Sequence, residues 1–365
     1  MSFAPHVLVL GGASLDVLHF AGRTVRSPGG AGLYTALAAA RAGARVTMYA
    51  PRPEPMPEEL RPALGRLEWV GPVITPDELP RFEIANHGGG RTEMLGLFWG
   101  AEGRLQPEQA PRGRFDWVYC VPFADPGLQL AFVRGYKARG ARVACGTYAP
   151  LAAAHTALVR EVASLADAFF CNEAEARTLF GSVEAAVVPA GRLLFVTRGA
   201  AGARVVQDAF ATELPGLPVR ELDPTGAGDT FCGTVLARLG AGAHPVEAAR
   251  HGIAHAAVSV GEVGPAALLR EGKAPEPPWD DRTRIDGGRL AALASLLASR
   301  DDVKPFDFTG ENFPPVGHPS ALDFFFAATL QQFGFWRLED GRYAGPMIAS
   351  LGGRVLKGSD YLWAA

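Results

Sequence analysis

The chain has 365 residues, 48% of them apolar, enough to bury a sizeable core and too many for a disordered polymer. Its formal net charge of −3 argues against general nucleic-acid binding. The cysteines, Cys120, Cys145, Cys171 and Cys232, stand far apart with no CxxC pair, so buried thiols of a reducing cytoplasm are expected rather than a zinc site.

Residues 6–10 form an apolar run that ends in Gly11 and Gly12 and reads as a buried strand. A glycine-rich loop over residues 27–32 opens an Ala- and Leu-rich helix over 34–42, which Gly43 closes. Residues 45–50 read as a second strand, so the segment is a βαβ unit and predicts a parallel sheet. Residues 83–86 and 92–98 flank Gly88, Gly89 and Gly90, the pattern of an antiparallel hairpin. We read residues 81–105 as a small lid on the α/β body. Strands follow at 117–121, 142–145, 168–171 and 193–197, with helices at 128–139 and 152–166. A further helix places Phe231, Val235, Leu236 and Leu239 on one face and ends at Gly240. His251 and His255 have helical i, i+4 spacing but no HExxH pattern, and read as packing residues.

Composition changes near residue 272. Proline and charge mark a linker over 273–288 between a body of residues 1–272 and a C-terminal segment of 289–365. That segment is expected to be helical, with a helix over 289–299 and an apolar stretch over 321–335. The N-terminus shows no basic region before a long apolar stretch, and no apolar run reaches about 18 residues. Neither a signal peptide nor a membrane span is expected.

Chemistry concentrates at Gly226, Ala227 and Gly228, which open the helix that carries Asp229 in its first turn. Bare backbone at a helix N-terminus points N–H groups at an anion, and the helix dipole adds to the attraction. Such a hole suits the charge on a transferring phosphoryl group. Asp229 beside it can take the proton of a substrate hydroxyl. The plainer reading is a tight turn with Asp229 as a helix-start charge.

The segment Asp223–Phe231 (DPTGAGDTF) resembles the second signature of the ribokinase (PfkB) family of carbohydrate and nucleoside kinases. Other segments resemble family motifs in the same order: 11–16 (GGASLD), 28–32 (PGGAG), 172–175 (NEAE) and 197–202 (TRGAAG). Together they span about residues 6–270. The resemblance implies a three-layer α/β/α fold with a mainly parallel central sheet, a reduced β lid and transfer of the ATP γ-phosphoryl group to a sugar or nucleoside hydroxyl. It implies Asp229 as base and Gly226, Ala227 and Gly228 as anion hole. It places Asn172 and Glu175 near Mg²⁺ and its water shell, and Thr197, Gly199, Gly202 and Thr225 at the nucleotide. Asp16, Gly29 and Gly30 then face the acceptor. Asp223 and Thr225 can lend oxygens to a monovalent cation, as in some family members. The implied partners are a small-molecule acceptor and, as a compatible assembly, a homodimer.

One departure concerns the acceptor. Where the family often carries asparagine, four residues after the second glycine of the pair, this chain has Tyr34. A tyrosine narrows the pocket and alters its hydrogen bonding, so a nucleotide or sugar sensor without turnover is the alternative. Residues 318–326 and 333–336 resemble the start of queuosine-salvage nucleosidase proteins, which implies a bifunctional salvage protein as a further alternative.

Overall fold

The computed structural model describes residues 4–20, 22–207 and 210–277, with the backbone of 336–337 and 343–344. The chain divides into two units, Met1–Pro277 and Pro278–Ala365. In the second, Trp336–Arg337 pairs antiparallel with Tyr343–Ala344. The expected helix over 289–299, the apolar stretch over 321–335 and the nucleosidase-like residues 318–326 lie outside the described residues.

The first unit opens with β1 (His6–Leu10), β2 (Ser14–Phe20), β3 (Arg23–Gly29), α1 (Ala31–Arg41) and β4 (Arg45–Tyr49). Next come β5 (Arg52–Pro53), α2 (Arg61–Leu64), β6 (Glu68–Val70), β7 (Val73–Ile74), β8 (Arg81–Gly88) and β9 (Arg91–Phe98). The middle of the unit holds β10 (Trp117–Cys120), α3 (Pro126–Lys137), β11 (Val143–Gly146), α4 (Ala149–Ala154) and α5 (Thr156–Leu165). Then follow β12 (Ala168–Asn172), α6 (Glu173–Phe180), β13 (Leu193–Thr197), β14 (Ala203–Gln207) and β15 (Phe210–Leu214). The unit closes with α7 (Ala227–Gly240), α8 (Pro245–Ser259) and α9 (Ala266–Leu269).

Nine strands make the central sheet, in the order β15-β14-β13-β12-β11-β10-β1-β4-β6. The strands from β13 to β6 run parallel, and β14 and β15 return antiparallel at one edge. A parallel strand covered on both faces must be apolar along its whole length. Val7, Leu8, Val9 and Leu10 accordingly have no exposure. Helices α1, α7 and α8 pack as one group and α3, α4, α5 and α6 as another, giving the α/β/α layering. Under α7, the Phe170 and Phe195 rings stack at 4.8 Å and Phe231 meets both edge-on. The four cysteines are free and buried. Fully buried His255 shares a 2.8 Å hydrogen bond with Thr234, and His251 lies 2.9 Å from Arg238, so both histidines are packing residues. Among the described residues no helix is long and apolar enough to cross a membrane.

The lid is larger than a hairpin. β8 and β9 pair antiparallel as expected, but β2 and β3 complete a four-stranded sheet in the order β3-β2-β8-β9. Residues 27–29, expected in a loop, therefore lie in an edge strand, where Pro28 removes no ladder hydrogen bond. The expected helix over 152–166 is two helices, broken at His155, whose φ of −132° is not helical. Ala274 is buried and its N–H donates to the Arg41 carbonyl (3.1 Å), which docks the first residues after 272 on α1.

Candidate active site

The parallel strands end together on one edge of the sheet, the edge at which open α/β sheets carry ligands. α7 begins there. Its N-cap, Gly226, has φ of 74°, and a methyl group in its place would lie 2.3 Å from Tyr34 Cδ1. Only glycine allows this left-handed turn against that ring. Asp229 follows in the first turn, partly exposed, with loss of solvent raising its carboxyl to about 7. The first N–H groups of a helix have no intrahelical partner. One of those expected to form the anion hole is already engaged, since the Ala227 N–H donates to the Pro224 carbonyl at 3.2 Å.

Asp16 lies inside β2 at 2% exposure, facing β3. The Phe82 N–H donates to its Oδ1 (3.2 Å), while burial, helped by the charge of Asp223, raises its carboxyl to about 7. Gly29 is required by close approach: a Cβ there would lie 1.8 Å from Asp16 Oδ2. Gly30 caps α1, and Tyr34 sits one turn on. Tyr34 is 1% exposed and its hydroxyl has no hydrogen-bond partner. Burial first, then the charges of Asp223, Asp16 and Asp229, hold that hydroxyl well above the usual phenol range. These four side chains therefore share one electrostatic site.

Asp223 is fully engaged. Its Oδ1 accepts from Asn86 Nδ2 (2.9 Å) and the Thr225 N–H (3.0 Å), and its Oδ2 accepts from the Gly264 N–H (2.8 Å). Asn86 belongs to the lid, and at the lid tip the Gly90 N–H donates to Glu221 Oε1 (2.8 Å). The lid is thus tied twice to the segment that leads into the Gly226 turn. Asn86 and Gly264 were not readable as site residues, because each meets Asp223 across a long loop of sequence.

Asn172 and Glu175 form a capping box on α6. Asn172 Oδ1 accepts from the Glu175 N–H (2.9 Å), and Glu175 Oε2 accepts from the Asn172 N–H (2.7 Å). Glu175 is buried, and its carboxyl rises to about 7 through burial first and the nearby charge of Asp229 in part. This links the pair to the α7 turn. Thr197 lies beside Asn172 in the parallel register of β12 and β13. Gly199 and Gly202 form the turn after β13, joined by a 3.0 Å bond from the Gly202 N–H to the Gly199 carbonyl.

Several buried polar atoms at this end lack partners: Tyr34 Oη, Asn86 Oδ1, Glu102 Oε2, Thr147 Oγ1 and Thr225 Oγ1. An unsatisfied buried group costs about 1–3 kcal/mol, so a polar ligand that reached these atoms would be stabilised by them. Among the described residues no three His, Cys, Asp or Glu side chains could jointly hold a metal ion.

Residues 136–271 match the family model of the pfkB family carbohydrate kinases. The chain is 30% identical over 263 residues to the cytidine kinase of Thermococcus kodakarensis, covering 68% of this chain and 94% of that one. Among solved structures it resembles the ribokinase of Cryptococcus neoformans in complex with ADP, with a TM-score of 0.63 and 20% identity over 73% of this chain and 96% of that chain. It also resembles a nucleoside kinase of Burkholderia thailandensis in complex with inosine, with a TM-score of 0.59 and 17% identity over 74% of this chain and 94% of that chain.

Proposed function

This chain belongs to the pfkB family of carbohydrate kinases, phosphotransferases that act on a sugar or nucleoside hydroxyl, and on that premise we propose that Asp229 is its catalytic base and ATP its phosphoryl donor. The observation that carries the assignment is the position of Asp229, partly exposed in the first turn of α7 beside Gly226 and Gly228. Its carboxylate takes the proton of the acceptor hydroxyl. The hydroxyl oxygen bonds to the γ-phosphorus as the bond from phosphorus to the bridging oxygen breaks, and that oxygen departs on ADP. The Gly226 and Gly228 amides and the α7 dipole hold the charge on the transferring group, with Ala227 as the spacer between them. A magnesium ion bound with the nucleotide would supply charge neutralisation. Asn172, Glu175, Thr197, Gly199, Gly202 and Thr225 hold the nucleotide side.

Asp16, Gly29, Gly30 and Tyr34 hold the acceptor. The ADP-bound ribokinase supports a nucleotide donor, and the cytidine kinase and the inosine-bound nucleoside kinase support a nucleoside among acceptors. The test is ATP consumption with Mg²⁺ over a panel of sugars and nucleosides. Turnover with at least one acceptor is expected, and ATP binding without turnover on the whole panel would overturn the proposal.

Tyr34→Phe separates structural from substrate roles. Removing a buried hydroxyl that has no partner should leave the unliganded protein as stable, within about 1 kcal/mol. If the hydroxyl bonds the acceptor, its loss raises the acceptor KM about tenfold and leaves the KM for ATP unchanged. Thermal unfolding and steady-state kinetics read the two effects separately.

A further inference from the structure

The region beside Asp16 holds features that phosphoryl transfer alone does not use. Glu102 is 6% exposed in the short turn after β9. Its Oε1 accepts the Gly12 N–H at 3.2 Å, and its Oε2 has no partner. The same turn positions Trp99, whose carbonyl accepts the Glu102 N–H (3.3 Å). Trp99 meets Phe82 edge-on at 5.6 Å and Tyr148 at 5.9 Å, and all three rings are partly exposed, unlike the sealed Phe169 and Phe195 of the core. Phe82 is the residue whose N–H holds Asp16. Gly12, Asp16, Phe82, Trp99 and Glu102 are therefore contiguous, and Tyr148 closes the group from the start of α4.

We propose that Phe82, Trp99 and Tyr148, with Glu102, form a subsite for the flat, amine-bearing base of a nucleoside acceptor, in which Glu102 Oε2 accepts a hydrogen bond from the exocyclic amine. The inference rests on the kinase reading of the same site and names its acceptor class. A sugar packs on an aromatic ring only through its C–H groups, whereas a flat base stacks on one ring and meets the edges of the others. Burial raises the Glu102 carboxyl to about 7, so at pH 8 it is ionised and accepts only. A keto oxygen in the place of the amine would set acceptor against acceptor.

The test measures kcat/KM at pH 8 for the pairs cytidine and uridine, and adenosine and inosine, and for D-ribose, using the full chain. The amine-bearing member should lead in at least one pair by about tenfold or more. Glu102→Gln, whose amide donates to a keto oxygen, should bring that pair within about threefold and leave the KM for ATP unchanged. Trp99→Ala should raise the nucleoside KM about tenfold. Calorimetric binding of both members of each pair to the wild-type chain gives the preference without any variant. Equal or keto-favouring binding overturns the subsite, as does ribose turned over as well as any nucleoside, and both leave the kinase reading standing. An unchanged preference in soluble, folded Glu102→Gln removes Glu102 from the proposal. Absence of turnover on every acceptor strikes the kinase reading itself.

Discussion

Asp229→Asn should lower kcat about a thousandfold and leave the affinity for ATP within about threefold, because a positioned base contributes about 10²–10⁴ to proton transfer and none to holding the nucleotide. The substitution keeps the shape of the side chain, so the α7 turn stays folded. The wild-type pH profile provides a second arm. A carboxyl raised to about 7 loses its base form as pH falls, so kcat/KM should drop about tenfold per unit below pH 7 and level off above it. The acid limb of the residual Asp229→Asn activity should be shallower, with the part that remains set by Asp16 and Glu175, which burial raises to the same range. A coupled ADP-release assay and calorimetric ATP titration measure both, and near-normal turnover in the variant would sink the assignment.

Gly226→Ala should cost both turnover and stability. The new methyl group meets the Tyr34 ring at 2.3 Å, and that ring, 1% exposed, has no room to retreat. A φ of 74° adds about 1–2 kcal/mol for an L side chain. With the overpacking, about 2–4 kcal/mol of stability is expected to be lost, and displaced amides should lower kcat about a hundredfold. The double variant Gly226→Ala/Tyr34→Ala relieves the clash but not the backbone strain. It should recover little of the kcat and none of the melting temperature, because truncating the buried Tyr34 ring costs about 3–5 kcal/mol, more than the clash it removes. Wild-type kcat in Gly226→Ala would show that this turn does not hold the transferring charge.

How much of this was legible follows from the range of each interaction. The buried strands β1, β10, β12 and β13 are almost wholly apolar runs, which any local window detects. The Gly226 turn and Asp229 are consecutive in sequence, so their pattern carried the site. β2 and β3 were missed because their residues also form the GGASLD and PGGAG motifs, and Pro28 argues against a strand until the edge position is known. Asn86, Glu102 and Gly264 act only through contacts made by the fold: Asn86 reaches Asp223 from 137 positions away. Tyr34 was legible as a departure, but that its ring shapes the Gly226 turn was not.

The two ties of the lid, Asn86 to Asp223 and Gly90 to Glu221, have a thermodynamic consequence. On the proposed assignment the lid would cover the acceptor, while its anchor is the segment that leads into the Gly226 turn. Binding events joined in this way are reciprocal: the factor by which bound nucleotide tightens the acceptor equals the factor by which the acceptor tightens the nucleotide. A compound that enters without seating Asn86 on Asp223 forfeits that factor at both ends. Discrimination between acceptors would then be expressed partly as residence of ATP.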